Sequence, residues 1–321
     1  MSEQKYPTTK TMKLAKDLAE DYIDQLEAKI TGQRHYTPSG FTQVDKKLGG
    51  WMHEGHLVVI AGRPAMGKSA FAQQLVESVA AQGKTAIMYT LEMSGYEITE
   101  RSVSRRSGVP IPKLKTGEDM TESEKDSVME SLREFRHLPF LVDDASFGIE
   151  QLIEKTIAVQ NGLAAKGLPP LGVIAVDYLQ LVTAGGSNRT LEIGQVTGGL
   201  KRLAKDLKVP VLALSQLNRA VENKTDKRPG LSDLRESGNI EQDADMVLFL
   251  YRDEYYNENS EDKGIAEVIC GKNRHGATGT VKLAFVGERV MFSDLAYDVY
   301  EKPVSVADRE VATQSKGRSH E

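Results

Sequence analysis

The chain has 321 residues, with 41 Lys and Arg against 46 Asp and Glu, six His and one Cys. That balance excludes a collagen-like chain, a disulfide scaffold and a wholly disordered polymer. A net charge of −5 gives no global attraction to nucleic acid, although a local basic patch or the inner surface of a ring stays open. No apolar run approaches the roughly 18 residues of a membrane span, so no membrane contact is expected. The first twenty residues lack a secretory pattern and the lone Cys270 fits a reducing compartment. A cytoplasmic location follows as the expectation.

Residues 1–10 are polar and expected to be loose. From 11 to 30, Leu14, Leu18, Tyr22, Leu26 and Ile30 recur every four residues, with Met12, Ala15, Ala19 and Ile23 beside them. This predicts a long helix with a broad apolar stripe. The run TGQRHYTPSG then breaks it and makes 11–40 a linker helix plus linker. The stripe has two readings: packing on its own domain, or docking on a neighbouring subunit.

From 41 to about 297, short β-branched runs alternate with helical patterns. The strands are expected at 57–61, 86–91, 140–142, 173–177, 211–215, 246–251, 265–270 and 280–286. Near-continuous apolar runs such as VIAV and VLAL fit strands covered on both faces. One intervening helix is read at 200–208, where Leu200, Leu203, Ala204 and Leu207 share a face. The alternation predicts an α/β fold with a mostly parallel sheet flanked by helices. The last runs lack helices between them and suggest an antiparallel edge near the C-terminus. Residues 298–321 are polar and expected to be disordered.

Gly62-Arg63-Pro64-Ala65-Met66-Gly67-Lys68-Ser69, with Ala70 next, fits the phosphate-loop pattern GxxxxGK[ST]. The strand LVVIA precedes it and the helical run FAQQLVESVAAQ follows, which is the order the motif requires. Its backbone N–H groups and the helix N-terminus favour bound phosphate. Lys68 would reach the β- and γ-phosphates of ATP, and Ser69 would bind Mg²⁺. The run VIAVD places Asp177 at a strand end, where it would be the second Mg²⁺ partner. Glu92, just past the strand AIMYTL, suits a general base; a helix-start Glu favoured by the dipole is the other reading. Gln216, after VLALS, suits a sensor of the γ-phosphate, with a loop-facing polar residue as the alternative.

These segments, with GSNRTLEI, the long run DKRPGLSDLRESGNIEQDADMVLFLYRDE and GKNRHGATGTV, resemble the C-terminal ATPase domain of the DnaB-type replicative DNA helicases over roughly 30–297. The resemblance implies a RecA-like fold in a homohexameric ring. It implies Glu92 as catalytic base, Gln216 as γ-phosphate sensor, and Lys272 and Arg274 as cations reaching a neighbour's ATP. It also implies a single-stranded DNA path along Arg235-Glu236-Ser237-Gly238 and along Gly186, Ser187, Asn188 and Arg189 in the loop from Ala184. Neither loop holds an aromatic residue, so backbone tracking without base reading is expected.

A replicative helicase moving 5′→3′ is therefore the leading expectation, with a helicase loader and primase as implied partners and a bacterial or phage-infected host as the setting. The family's N-terminal helical collar has no counterpart in the sequence, and HGATG replaces its usual NGPxG after the finger Arg. A ring-forming subunit acting on a host helicase and a filament-forming recombination ATPase stay open as alternatives. The six His and one Cys show no metal-ligand spacing. Trp51 and Tyr178 are expected to serve packing.

Overall fold

The computed structural model describes residues 14–31, 36–145, 148–184, 189–234 and 237–295. Among these, nine strands join in one sheet: β1 (Leu57–Gly62), β2 (Thr85–Thr90), β3 (Phe140–Asp143), β4 (Leu171–Asp177), β5 (Val211–Gln216), β6 (Met246–Tyr251), β7 (Ile265–Asn273), β8 (Gly279–Val286) and β9 (Met291–Asp294). Their order is β3-β2-β4-β5-β1-β6-β7-β8-β9. The first six in that order run parallel, and β7, β8 and β9 extend the sheet antiparallel. The helices are α1 (Ala15–Ile30), α2 (Thr42–Leu48), α3 (Lys68–Ala81), α4 (Gly95–Ser107), α5 (Ile111–Thr116), α6 (Glu122–Phe135), α7 (Ile149–Gly162), α8 (Arg189–Leu207) and α9 (Ser237–Asp243).

The expected fold class holds, and burial explains why the strands lack alternation. Val58 and Ile60 of β1 enter one core with Phe71, Leu75 and Val79 of α3. Leu57, Val59 and Ala61 enter the opposite core with Leu200, Leu203 and Ala204 of α8. Both faces of the same strand are thus removed from water, so every position favours an apolar side chain.

Two elements differ from expectation. The helix anticipated at 200–208 is the end of α8, which begins at Arg189; Gly194, Gly198 and Gly199 ahead of Leu200 blur the pattern. The strand expected at 280–286 is β8, and β9 was not expected: a 3₁₀ turn at Gly287–Arg289 and Val290 at φ 47° fold Met291 back beside Val286. Residues 11–13 of the first expected helix and the tail beyond 295 lie outside the described residues.

On α1, Leu18, Tyr22, Ile23, Leu26 and Ile30 are all exposed, Ile30 at 76%. The stripe is not packed on its own domain. No helix among the described residues is long and apolar enough to cross a membrane.

Candidate nucleotide site and finger turn

The C-terminal ends of β1, β4 and β5 lie side by side, and the loops beyond them enclose a cavity of about 410 Å³. Open α/β sheets bind ligands in such a crevice. Pro64, Ala65, Gly67, Lys68, Ser69 and Ala70 line one wall. Gly67 takes φ 90° immediately before α3, and a Cβ there would lie 2.7 Å from the Phe292 ring. Only glycine meets both conditions.

Gly62, Arg63 and Met66 do not line the cavity. Gly62 backs the Lys68 side chain, Met66 is buried in the core, and Arg63 turns away to Glu222 Oε1 at 2.8 Å and the Leu217 carbonyl at 3.0 Å. Their part is to hold the loop's shape.

Lys68 donates to the Arg63 carbonyl at 3.2 Å, and burial pulls its pKa below the usual lysine value despite the nearby carboxylates. Asp177 ends β4, accepts from the Ser69 hydroxyl, and has its pKa raised by burial. Its Oδ2 is buried without a hydrogen-bond partner. A buried, unsatisfied carboxylate oxygen beside a serine hydroxyl fits a hard dication with oxygen ligands.

Glu92 reaches the cavity from a turn closed by Thr90, whose hydroxyl donates to the Met93 carbonyl and accepts the Met93 N–H. The same turn is tied to Asp177, because the Leu91 N–H donates to its carbonyl at 2.8 Å. Ser94 then caps α4 through a reciprocal capping box with Glu97. Gln216 also lines the cavity. The Gln180 amide donates to Ser215 Oγ at 3.0 Å, and its oxygen accepts the Gln216 N–H at 3.3 Å, which joins the ends of β4 and β5.

The sequence matches the DnaB-like helicase C terminal domain over residues 37–294. The chain belongs to the DnaB-like helicase C-terminal domain family. The replicative DNA helicase DnaB of Pasteurella multocida is 44% identical over 87% of this chain, and that of Geobacillus stearothermophilus is 38% identical over 86%. The chain spans about 60% of the length of these relatives. The solved ATPase domain of G40P superposes with a TM-score of 0.79 at 35% identity, covering 86% of this chain and 98% of that one. A DnaB-like replicative helicase, solved in a study of its interactions with primase, gives 0.77 at 34%, covering 86% of this chain and 66% of that one.

In this member of the family, Lys272 and Arg274 lie away from the cavity. Met246, the first residue of β6, pairs with Asn273, so the turn between β7 and β8 sits at the N-terminal edge of the parallel strands. Lys272 Nζ donates to the Glu241 and Ala244 carbonyls, the latter at 2.8 Å, and Arg274 Nη2 donates to the Gln242 carbonyl at 2.7 Å. These carbonyls form the C-terminal end of α9, where cations are favoured. Burial holds the Lys272 pKa below its ordinary value.

Of the expected DNA loops, Gly186, Ser187, Asn188, Arg235 and Glu236 lie outside the described residues. Arg189 begins α8, Ser237 begins α9, and Gly238 is exposed in its first turn. The two helix starts are neighbours, since Asn239 Nδ2 donates to the Thr190 carbonyl at 3.0 Å.

Six cavity residues were not anticipated as site residues: Arg101, Tyr178, Arg252, Phe285, Gly287 and Val290. Arg101 of α4 lines the cavity, and burial lowers its pKa. An arginine on a polar helix gives no sequence signal, because such residues usually snorkel to solvent. Arg252 follows β6, donates to the Ala65 carbonyl at 3.1 Å and sits over the Phe285 ring at 3.9 Å. Its signal was present: a charge directly after an apolar strand, the logic that singled out Asp177. Tyr178, expected to serve packing, also lines the cavity.

Proposed function

We propose that this chain is an ATP-driven motor that assembles as a hexameric ring, moves 5′→3′ along single-stranded DNA and separates duplex during replication. One observation carries the reading: the nucleotide cavity lies at the C-terminal edge of the sheet, whereas Lys272 and Arg274 lie at the opposite edge. A cation so placed can complete only another copy's pocket. A head-to-tail contact between copies closes into a ring where the rotation between them closes, and otherwise gives an open helix.

Within each pocket, Lys68 and the loop N–H groups hold the phosphates of ATP, and Ser69 and Asp177 hold Mg²⁺. The bound ion neutralises charge on the phosphate oxygens. Glu92 orients the attacking water and takes its proton, and Gln216 reads the γ-phosphate. Arg274 and Lys272, supplied in trans, stabilise charge on the transferring group. Arg235, Glu236, Ser237, Gly238 and the loop from Gly186 to Arg189 track the DNA backbone.

The backbone offers a short route from pocket to DNA. Leu217, next after Gln216, bridges to Leu234, next before Arg235. A shift at Gln216 therefore reaches the DNA loop through one backbone pairing. The solved relative's interactions with primase make primase a candidate partner here, with a helicase loader beside it. The work per step is modest, since separating stacked base pairs costs about 1.4 kcal/mol each.

The test is unwinding of a forked duplex with ATP and Mg²⁺, with either tail removed in turn. Unwinding should need the 5′ tail. A chain that hydrolyses ATP on single strands yet opens neither substrate is not the proposed motor.

The exposed stripe of α1 supports docking on a neighbouring copy. Leu18→Glu with Tyr22→Glu should remove the ring species in sedimentation with ATP and leave monomer stability unchanged. A ring that persists in the double variant would end this part of the reading.

A further inference from the structure

A second cluster of chemistry lies at the edge opposite the nucleotide cavity. His56 stands directly before β1, Asp245 directly before β6, and His275 in the turn between β7 and β8. One ligand atom of each lies within 4.8 Å of the others. The His56 and His275 rings stack at 4.7 Å. The three residues are far apart in the chain, which is why spacing alone showed no metal motif. The six residues of β1 separate the cluster from the phosphate loop by roughly 20 Å.

We propose that His56, Asp245 and His275 bind a first-row transition-metal dication of the zinc class. Two imidazoles and a carboxylate are a donor set for such an ion, with a fourth position left to water. They are a poor set for Mg²⁺, which prefers oxygen.

Asp245 is built for the task. Its Oδ2 is committed, accepting from the Leu57 N–H at 2.7 Å and from Lys201 Nζ at 2.6 Å. Oδ1 faces Arg274 Nη1 at 3.6 Å, too long for a hydrogen bond. That oxygen is the ligand atom the ion would take. His56 is half-buried, and its ring is held between those of His53 at 5.0 Å and His275 at 4.7 Å. His275 is exposed on a turn, so its side chain can rotate to close the remaining distance.

The ion must compete with nearby cations, namely Lys201, Lys205 and Lys208 beside the cluster and Arg274 above it. Its dipositive charge at Oδ1 displaces Arg274 and pins the turn through His275. Metal binding would thereby remove one of the two tethers of the finger guanidinium and leave only the Gln242 carbonyl. Binding stands independently of the motor reading; only the consequence for Arg274 rests on it.

The experiment titrates Zn²⁺ into the full chain in excess Mg²⁺, against a chromophoric zinc chelator. One equivalent should bind. His56→Gln and His275→Gln should each weaken binding at least about tenfold, while His137→Gln, remote in the fold, should not. Co²⁺ should give the visible absorption of a tetrahedral nitrogen–oxygen site in the parent chain and lose it in both variants. Absence of stoichiometric binding, or equal affinity in parent and both cluster variants, overturns the site. His275→Gln alters an exposed turn, so its effect is not confounded by unfolding.

Discussion

Arg274→Ala is expected to lower DNA-stimulated ATP hydrolysis by about 10³-fold or more while nucleotide binding stays near the parent value. Cations supplied in trans to phosphoryl transfer contribute 10³–10⁵ in rate. Arg274 makes no contact with its own cavity, so binding should not depend on it. Its side chain instead donates to the Gln242 carbonyl at 2.7 Å and faces Asp245. Two readouts therefore separate in one variant: turnover and binding. A third is mixing. Mixing the variant with a Glu92→Gln variant should restore part of the turnover, because each supplies what the other's pocket lacks. Parent-level turnover in the pure variant would leave the opposite-edge placement without a catalytic role.

The same residue has a second consequence. Lys272 and Arg274 hold the C-terminal carbonyls of α9, and the proposed DNA segment lies at that helix's N-terminal end. Seven residues at 1.5 Å each make α9 a rod of about 10 Å. To engage a neighbour's phosphates as proposed, the cations would have to leave these carbonyls. On the proposed reading, ATP occupancy next door would then change how firmly the DNA segment is held and so link hydrolysis to grip.

The parts of the fold legible in the sequence are those where one local rule decides. The strand β6 was read with its observed limits, because MVLFLY is apolar at every position and is bounded by Asp245 and Arg252. Lys68, Ser69 and Asp177 were legible because a phosphate loop and a strand end constrain residue type locally. Glu92 and Gln216 were each one of two readings until the family resemblance, and the structure places both on the cavity wall. Arg101 was hidden, because its surroundings depend on how α4 crosses the sheet rather than on neighbours in the chain. The cluster of His56, Asp245 and His275 was hidden for the same reason: strand order β1-β6-β7 creates it. Tyr178 lay one residue from Asp177, yet nothing in its type pointed to the cavity.

Asp177→Asn should separate stability from activity. Burial raises the Asp177 pKa, and its Oδ2 has no hydrogen-bond partner. For a carboxyl whose folded pKa lies above its unfolded value, the native state holds the proton more tightly. Stability is then greatest below the unfolded value and falls as pH rises toward the folded one. The penalty is complete once pH exceeds the folded pKa. An unsatisfied buried polar group costs about 1–3 kcal/mol. The amide removes the charge, so the variant's melting temperature without nucleotide should rise by a few degrees at pH 7, and the pH-dependent fall in stability should flatten. Hydrolysis should drop at least about a hundredfold, because a metal ion contributes several kcal/mol to charge stabilisation and Asn holds it weakly. Added Mg²⁺–ATP should stabilise the parent and scarcely move the variant. A variant that melts lower than the parent, or that keeps full Mg²⁺-dependent turnover, would show that Asp177 is held in place for packing and not for the ion.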